Sequence, residues 1–323
     1  MAITVLVTGA RGLLGQHLMR ALLESGRSVR ALVRSGGDRD FLPDGVAMAV
    51  GDITNLAEVR RAMAGCDAVI HACSTHDYKL PPRRFWEVNV GGTHNVCTAA
   101  AERPSVKVVF TSTISTLASG GTVDGFPLAV PARKLMSLSK KAAEEEVLAH
   151  ARRGLPAIVV NPPYFIGPLD YRPSPFRLWA PLAVRMPIRL VPGGGFNVMS
   201  ARDVARAHVW ALERGRAATR YPLVGRNVSL VEYASLLNAA AGRRVVPREI
   251  PAALLRSVAV GKVFDPYAVD LITRLNYVFE QDAVPIERES LEDLVSGTVR
   301  WFRDERHLAG VRVLAAYAWR RCF

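Results

Sequence analysis

The stretch that most constrains this chain is its opening. Residues 3–8, Ile-Thr-Val-Leu-Val-Thr, are apolar and β-branched and read as a buried strand. They run into Gly9, Gly12 and Gly15, and a helical pattern continues through Ser25. Strand, glycine turn and helix in this order are the context that gives such a glycine spacing its meaning. Gly9 permits a tight turn, and Gly12 lets the backbone approach a pyrophosphate. Gly15 lets helix and strand pack closely, and the pyrophosphate sits on the N–H groups at the helix N-terminus, beside Leu13 and Leu14. The alternative is a glycine turn with a purely structural role.

The remainder alternates strand and helix. Residues 28–34, 46–50, 68–73, 106–112 and 155–161 read as strands, and 55–64, 83–103 and 134–153 as helices. That alternation predicts an α/β fold with a Rossmann-type, doubly wound parallel sheet. From Gly167 the texture changes. Residues 168–195 hold six prolines and three consecutive glycines with Trp179 among them, and read as a loop segment covering substrate. A helix is expected over 201–214, and 226–323 read as mostly helical. The expected organisation is therefore a dinucleotide-binding domain of residues 1–166 and 201–225, and a smaller, mostly helical substrate lobe of residues 167–200 and 226–323.

Composition narrows the function classes. The formal charge is +13, from 42 basic and 29 acidic residues. The basic residues are nearly all arginines scattered singly through helices, with no run interleaved with aromatics, so no specific nucleic-acid partner is expected. No run of eighteen apolar residues exists to span a membrane. The strand begins at once, with no basic segment and cleavage site ahead of it, so no signal peptide is expected. Cys66, Cys73, Cys97 and Cys322 form no CxxC pair and have no histidine cluster beside them. That pattern suggests a reducing cytoplasm and no metal site. The expected partner is a small-molecule substrate, the chain acting as a monomer or a homodimer.

Arg34 ends the second strand, where an NAD enzyme would carry Asp or Glu for the ribose 2′-hydroxyl. Arg11 lies in the glycine turn itself. Two guanidinium groups there suit a 2′-phosphate, which they can grip bidentately, and so point to NADPH/NADP. The alternative is two solvated surface arginines.

Further motifs follow in order: Gly51-Asp52-Ile53, His71-Ala72-Cys73, Asn89-Val90-Gly91-Gly92-Thr93, Val108-Val109-Phe110-Thr111-Ser112-Thr113, and Asn161-Pro162-Pro163-Tyr164-Phe165-Ile166-Gly167-Pro168. With Thr8–Gly15 and Arg202-Asp203-Val204, they resemble the extended short-chain dehydrogenases/reductases over roughly residues 1–240. The resemblance is nearest to the dihydroflavonol-reductase and hopanoid-associated epimerase branch. It implies that Asp52 and Ile53 contact the adenine, and that Ala72, Cys73, Ser74 and Thr111 line the cofactor's path. Thr113 would hydrogen-bond a substrate carbonyl. Lys140 would hold the nicotinamide ribose, with Glu144 following on its helix. Pro162, Tyr164 and Phe165 would lie beside the nicotinamide, and helices 83–103 and 134–153 could pair in a dimer.

One position departs from the family. Its Tyr-x-x-x-Lys pair reads Met136-Ser137-Leu138-Ser139-Lys140 here, and no tyrosine in the chain stands four residues before a lysine. A thioether has no proton to donate. The proton would then come from water, from Thr113 through the ribose, from Tyr78 or Tyr164, or from the substrate. A ketone beside a phenolic hydroxyl is already polarised by its own hydrogen bond. This chain resembles tyrosine-less tailoring ketoreductases of secondary metabolism acting on aromatic polyketides of the angucyclinone type. That implies catalytic roles for Thr113 and Lys140 and substrate contacts at Tyr78, Met136, Tyr164 and Trp179. An epimerase or dehydrogenase of sugars or terpenoids is the second reading, and a non-catalytic dinucleotide-binding regulator the third.

Overall fold

The computed structural model describes residues 3–75, 80–103, 105–117, 134–171, 177–251 and 284–304. They form two compact units, one of residues up to 163 with 201–223 and 284–286, the other of residues 164–200, 224–251 and 287–304.

The first unit is built on seven strands: β1 (Thr4–Thr8), β2 (Ser28–Val33), β3 (Ala47–Val50), β4 (Ala68–His71), β5 (Lys107–Thr111), β6 (Ala157–Asn161) and β10 (Arg220–Pro222). Their spatial order is β10-β6-β5-β4-β1-β2-β3, and every neighbouring pair is parallel. The strand order reverses between β1 and β4, the point at which open α/β sheets bind ligands outside their carboxyl ends. Alternate residues of the strands, among them Leu6, Val69, Val108, Phe110 and Val159, face one buried cluster. They meet α2 (Leu56–Met63), α4 (Gly92–Ala101) and α5 (Lys134–Arg152) there, through Val59, Val96, Ala143 and Val147. The helices α1 (Leu13–Glu24) and α7 (Ala201–Arg214) pack on one another and on the sheet. The Rossmann-type α/β fold is the one the alternation predicts.

The glycine turn closes by backbone contact. Gly9 has φ +73°, and a Cβ there would stand 2.7 Å from the carbonyl oxygen of Ala72. A Cβ on Gly15 would stand 2.7 Å from the Cα of Ala10. Glycine is therefore required at both positions by space, and at Gly9 by dihedral angle as well.

The helix expected over 83–103 is three pieces. After α3 (Pro82–Phe85) the chain takes a π-helical turn over Trp86–Gly91 before α4 resumes the regular spiral. Such single π-turns are frequent at functional sites, and this one carries the buried Asn89. The expected loop over 120–133 lies outside the described residues.

Among the described residues, the second unit, expected to be mostly helical, holds short strands beside its helices. It holds β7 (Tyr164–Ile166), α6 (Trp179–Arg185), β8 (Leu190–Pro192), β9 (Gly195–Ser200), β11 (Arg226–Ser229), α8 (Leu230–Ala240), β12 (Arg248–Ile250) and α9 (Leu291–Arg303). One sheet runs β11-β9-β7, with β7 parallel and β11 antiparallel to β9, and β12 pairs with β8 in parallel. These strands are three to six residues long, too short for periodicity to separate them from loop. The stretch read as a covering loop contains α6 and β8 for the same reason. Ile166, Val191, Val198, Tyr233, Leu237, Val295 and Phe302 form this unit's core. Residues 164–166 fall here because β7 pairs with β9.

Gly15→Ala forces backbone apart in a packed turn. It is expected to lower stability by about 1–3 kcal/mol, the usual cost of overpacking. Urea denaturation measures this, and an unchanged midpoint would refute the steric account.

Candidate active site

The end of the sheet where β1 and β4 part is shaped for an anionic group. Gly12 is the N-cap of α1, no side chain caps the helix, and no acidic residue stands in its first turn. The N–H groups of a first turn have no acceptor within the helix. A Cβ on Gly12 would meet nothing within 4 Å except the carbonyl oxygen of Gly9, at 3.3 Å. Unlike Gly9 and Gly15, Gly12 is not demanded by packing, and its bare backbone is exposed. This cradle fits the pyrophosphate of a dinucleotide. Gln16 holds it in shape, its amide donating to the carbonyls of Ala10 at 2.9 Å and Phe41 at 2.8 Å. Arg11 lies over the Phe41 ring, 4.4 Å from its centroid, in the 3-10 segment that follows Arg34. Arg34 itself is exposed just past the end of β2.

The next motif is fixed by helix capping. Asn55 caps α2, accepting from the N–H of Ala57 and Glu58, while Glu58 reaches back to accept from the N–H of Asp52 at 2.7 Å. The Asp52 carboxylate accepts from the N–H and hydroxyl of Thr54. Ile53 is buried against Gly92, where a Cβ would stand 2.5 Å from its Cδ1.

At the end of β4, His71 is fully buried between two threonines. The Thr93 hydroxyl donates to the carbonyl of Asn89 at 2.6 Å, so it accepts from His71 Nε2, 3.1 Å away. The proton is therefore on Nε2. Nδ1 then accepts from Thr8 at 2.6 Å, and Thr8 in turn accepts from the N–H of Cys73. Burial first, then the nearby Lys140 charge, pushes His71 down to about 3, so the ring is neutral. Burial pushes the Cys73 thiol up to about 11, against the pull of Lys140 and Arg34 and with the push of Asp52. The expected residues at the ends of β2, β3 and β4 and on α5 thus act on one another electrostatically.

Lys140 is buried on α5. Its ammonium donates to the carbonyl of Thr111 at 2.8 Å and lies 4.7 Å from the centroid of Phe110. Burial lowers it to about 8. One turn earlier, Met136 is half-buried, and its carbonyl accepts from Ser139. Ser139 accepts from the side-chain amide of Asn89 at 2.9 Å, and the Asn89 side-chain oxygen Oδ1 accepts from the N–H of Thr75. Asn89 sits in the π-helical turn, so that irregularity ties α5 to the chain leaving β4. Sequence reading named the motif around Asn89 without a role for it.

A second buried hub lies one turn beyond Lys140. The Glu144 carboxylate accepts from Ser112 at 2.6 Å, Thr116 at 2.8 Å and the amide of Asn161 at 3.0 Å, and it pairs with Arg220. Asn161 also donates to the carbonyl of Thr113. Thr113 caps a 3-10 turn (Ile114–Thr116), its hydroxyl accepting from the N–H of Ser115 at 3.3 Å. Glu144 therefore sets the backbone on both sides of Thr113. The Thr111 hydroxyl donates to His208 Nε2 at 2.8 Å, since His208 Nδ1 gives its proton to the Val204 carbonyl. Ser112 and Asn161 stand in motifs legible in the sequence but without a role there, and Thr116, His208 and Arg220 were missed. The one signal for the hub was the spacing of Glu144, four residues after Lys140.

Ala72, Cys73 and Ser74 follow β4 half-buried, and the buried Pro162 accepts from the N–H of Ile114. Tyr164 and Phe165 belong to the second unit. The Tyr164 ring stands edge to face with Phe196 at 5.0 Å, and burial holds its phenol well above its ordinary 10, which makes it a poor acid. Trp179 opens α6 and packs on the second unit's core. Tyr78 lies outside the described residues.

Removing the Glu144 carboxylate takes an acceptor from the buried Ser112, Thr116 and Asn161 side chains and leaves Arg220 only Glu145. Glu144→Ala is expected to cost at least about 2 kcal/mol, the penalty of unsatisfied buried groups. Glu144→Gln, which keeps an acceptor, is expected to cost less. Denaturation curves of the two variants compare them, and near-neutral Glu144→Ala would remove the hub from the account.

Known proteins share this architecture. The family model described as "NAD dependent epimerase/dehydratase family" matches residues 5–223. A protein from Synechocystis sp. named after dihydroflavonol 4-reductase is 33% identical over 246 residues, covering 71% of this chain and 70% of its own. The 4-hydroxy-2-methyl-3-oxo-4-farnesyl-3,4-dihydroquinoline-1-oxide ketoreductase of Stigmatella aurantiaca is 30% identical over 263 residues, with 78% of each chain covered. The crystal structure of gox2253 superposes with a TM-score of 0.78 at 29% identity, covering 95% of this chain and 99% of that one. With the glycine cradle at the switch point of its parallel sheet, the chain belongs to the NAD dependent epimerase/dehydratase family.

Proposed function

We propose that this protein is an NADPH-dependent ketoreductase. Its substrate is a ketone flanked by a hydroxyl on an aromatic polyketide-type molecule, angucyclinone-like, in secondary metabolism. The observation that carries the reading is the pairing on α5 of a buried, hydrogen-bonded Lys140 with Met136 one turn before it. On this reading Lys140 takes the part of the family's positioning group, and Met136 stands where its acid would.

When bound, the reduced nicotinamide supplies a hydride to the carbonyl carbon. Lys140, anchored on Thr111, has two further N–H donors to offer a ribose hydroxyl. Thr113, at the end of β5, offers a hydroxyl to the substrate oxygen. The developing alkoxide needs a proton, and the substrate's neighbouring hydroxyl is the donor that needs no residue. The Stigmatella relative is named for reduction of a 3-oxo group with a hydroxyl on the neighbouring carbon, which supports a ketone flanked by a hydroxyl. An epimerase must first oxidise an alcohol and remove its proton, which Met136 has no means to accept. That favours the reductase.

Arg34, with Arg11 nearby, favours the 2′-phosphate. Arg34→Asp is expected to weaken NADPH binding by about 1.5–3 kcal/mol, the value of a charge-assisted contact, and NADH binding far less. Fluorescence titration of both cofactors reads this, and equal affinities in the unaltered protein would refute it.

The chemistry is tested with a hydroxyaryl ketone and its methyl ether. Masking the hydroxyl is expected to slow NADPH oxidation by about 10² or more, the low end of general acid catalysis. Met136→Leu is expected to cost less than about tenfold, and Met136→Tyr to restore part of the rate on the ether. The Lys140 ammonium is present below its lowered pKa and lost above it, so kcat/KM should fall as pH rises through about 8. Equal rates on the two ketones would eliminate the substrate as acid. Nucleotide binding without turnover on a broad panel would favour the regulator.

A further inference from the structure

Folding assembles a cluster of metal-ligating groups on the outer face of the first unit, away from the glycine cradle. His94 projects from α4, and Glu146 and His150 stand one turn apart on α5. His94 Nδ1 lies 2.7 Å from Glu146 Oε1, and His150 Nε2 lies 3.2 Å from the same oxygen. One atom from each residue falls within 4.8 Å of the others. The two rings meet edge to face, with centroids 5.9 Å apart.

Two imidazoles converging on one carboxylate oxygen make an imperfect hydrogen-bonding arrangement. His94 is in line with the oxygen, and its other nitrogen lies 3.4 Å from the Thr98 hydroxyl. His150 is not in line. Its Nε2 is buried, yet makes no hydrogen bond despite its closeness to Oε1. A buried polar atom left over in this way calls for a partner. A cation at the common point supplies one, taking a lone pair from each nitrogen and from the carboxylate.

We propose that His94, Glu146 and His150 form a binding site for a zinc-type divalent transition-metal ion. Two neutral imidazoles and a carboxylate are a ligand set that zinc accepts, with a fourth position left to water. Zinc–ligand bonds of about 2.0–2.2 Å set tetrahedral ligands about 3.3–3.6 Å apart, so the observed separations need only side-chain rotation to match. The graded exposure suits an open fourth position: the His150 side chain is 11% exposed, Glu146 29% and His94 55%. The ion would clip α4 to α5, the helix that carries Met136 and Lys140. Sequence spacing hid the cluster, because His94 and Glu146 are 52 residues apart.

The test uses the full chain stripped of metal with a chelator and titrated with zinc chloride in a calorimeter. One ion per chain is expected, with a rise in Tm. His94→Ala and His150→Gln are each expected to weaken binding by at least about tenfold. These residues lie outside the proposed reaction, and circular dichroism checks their fold. Independently of any variant, zinc should shift the imidazole NMR signals of His94 and His150 and leave those of the buried His71 and His208 in place. Cobalt(II) should give the weak visible bands of nitrogen and oxygen ligation. Failure to bind one equivalent, affinity undiminished in the variants, or strong thiolate-to-cobalt bands that place the ion on cysteines would each overturn the proposal.

Discussion

The turn after β1 depends on backbone touching backbone at two points where a side chain would intervene. Gly9 lies against the Ala72–Cys73 peptide, and Gly15 lies against Ala10. The first contact brings the ends of β1 and β4 together at the place where the strand order reverses. The second seats the N-terminus of α1 on the turn. Thr8 and His71, the last residues of these two strands, complete the seal by hydrogen bonding across it. Gly12 is different in kind, because its missing side chain leaves space that no protein atom fills. Of the three glycines, two hold the structure together and one keeps a place open.

The charges at this end of the sheet are ordered by the same burial. His71 and His208 both yield their protons, pushed down to about 3 and 4, with Lys140 adding to the effect of burial on each. Burial lowers Lys140 to about 8 against the raising effect of Cys73 and Glu144, and its ammonium donates to the Thr111 carbonyl and lies over the Phe110 ring. A carboxylate taken out of water must have its oxygens satisfied, and Glu144 meets that requirement with three hydrogen bonds and a guanidinium. The buried Lys140 and the paired Glu144 stand one turn apart on a single helix. The neutral imidazoles around them act as fixed hydrogen-bonding spacers rather than as proton carriers.

What could be read from the sequence follows from how local each signal is. The strand–glycine–helix unit, the six strands that precede the break at 167, and α7 were legible because each repeats over many residues or carries glycine at a strained position. Lys140 and Thr113 were legible through a motif frame. The strands of the second unit were not, since three-residue strands such as β7, β8 and β12 have no period to detect. The π-helical turn was hidden because it interrupts the helical pattern by only one residue. The Glu144 hub and the His94–Glu146–His150 cluster were hidden for another reason. Their members come from different elements, and only packing of α4, α5, β6 and β10 brings them together.

The same networks bear on the proposal that Met136 stands where the family's tyrosine would. Among the described residues, α5 is tied down at Ser139 to Asn89, Lys140 to Thr111, Glu144 to its four partners, Glu145 to Arg220 and Glu146 to His94. At position 136 only the backbone carbonyl takes part, accepting from Ser139. These attachments hold the register of α5 without a hydrogen bond from the side chain at position 136. On the reductase reading, the substrates left to such an enzyme are those that bring their own proton, and an apolar thioether against a flat aromatic ketone is a better neighbour than a second phenol.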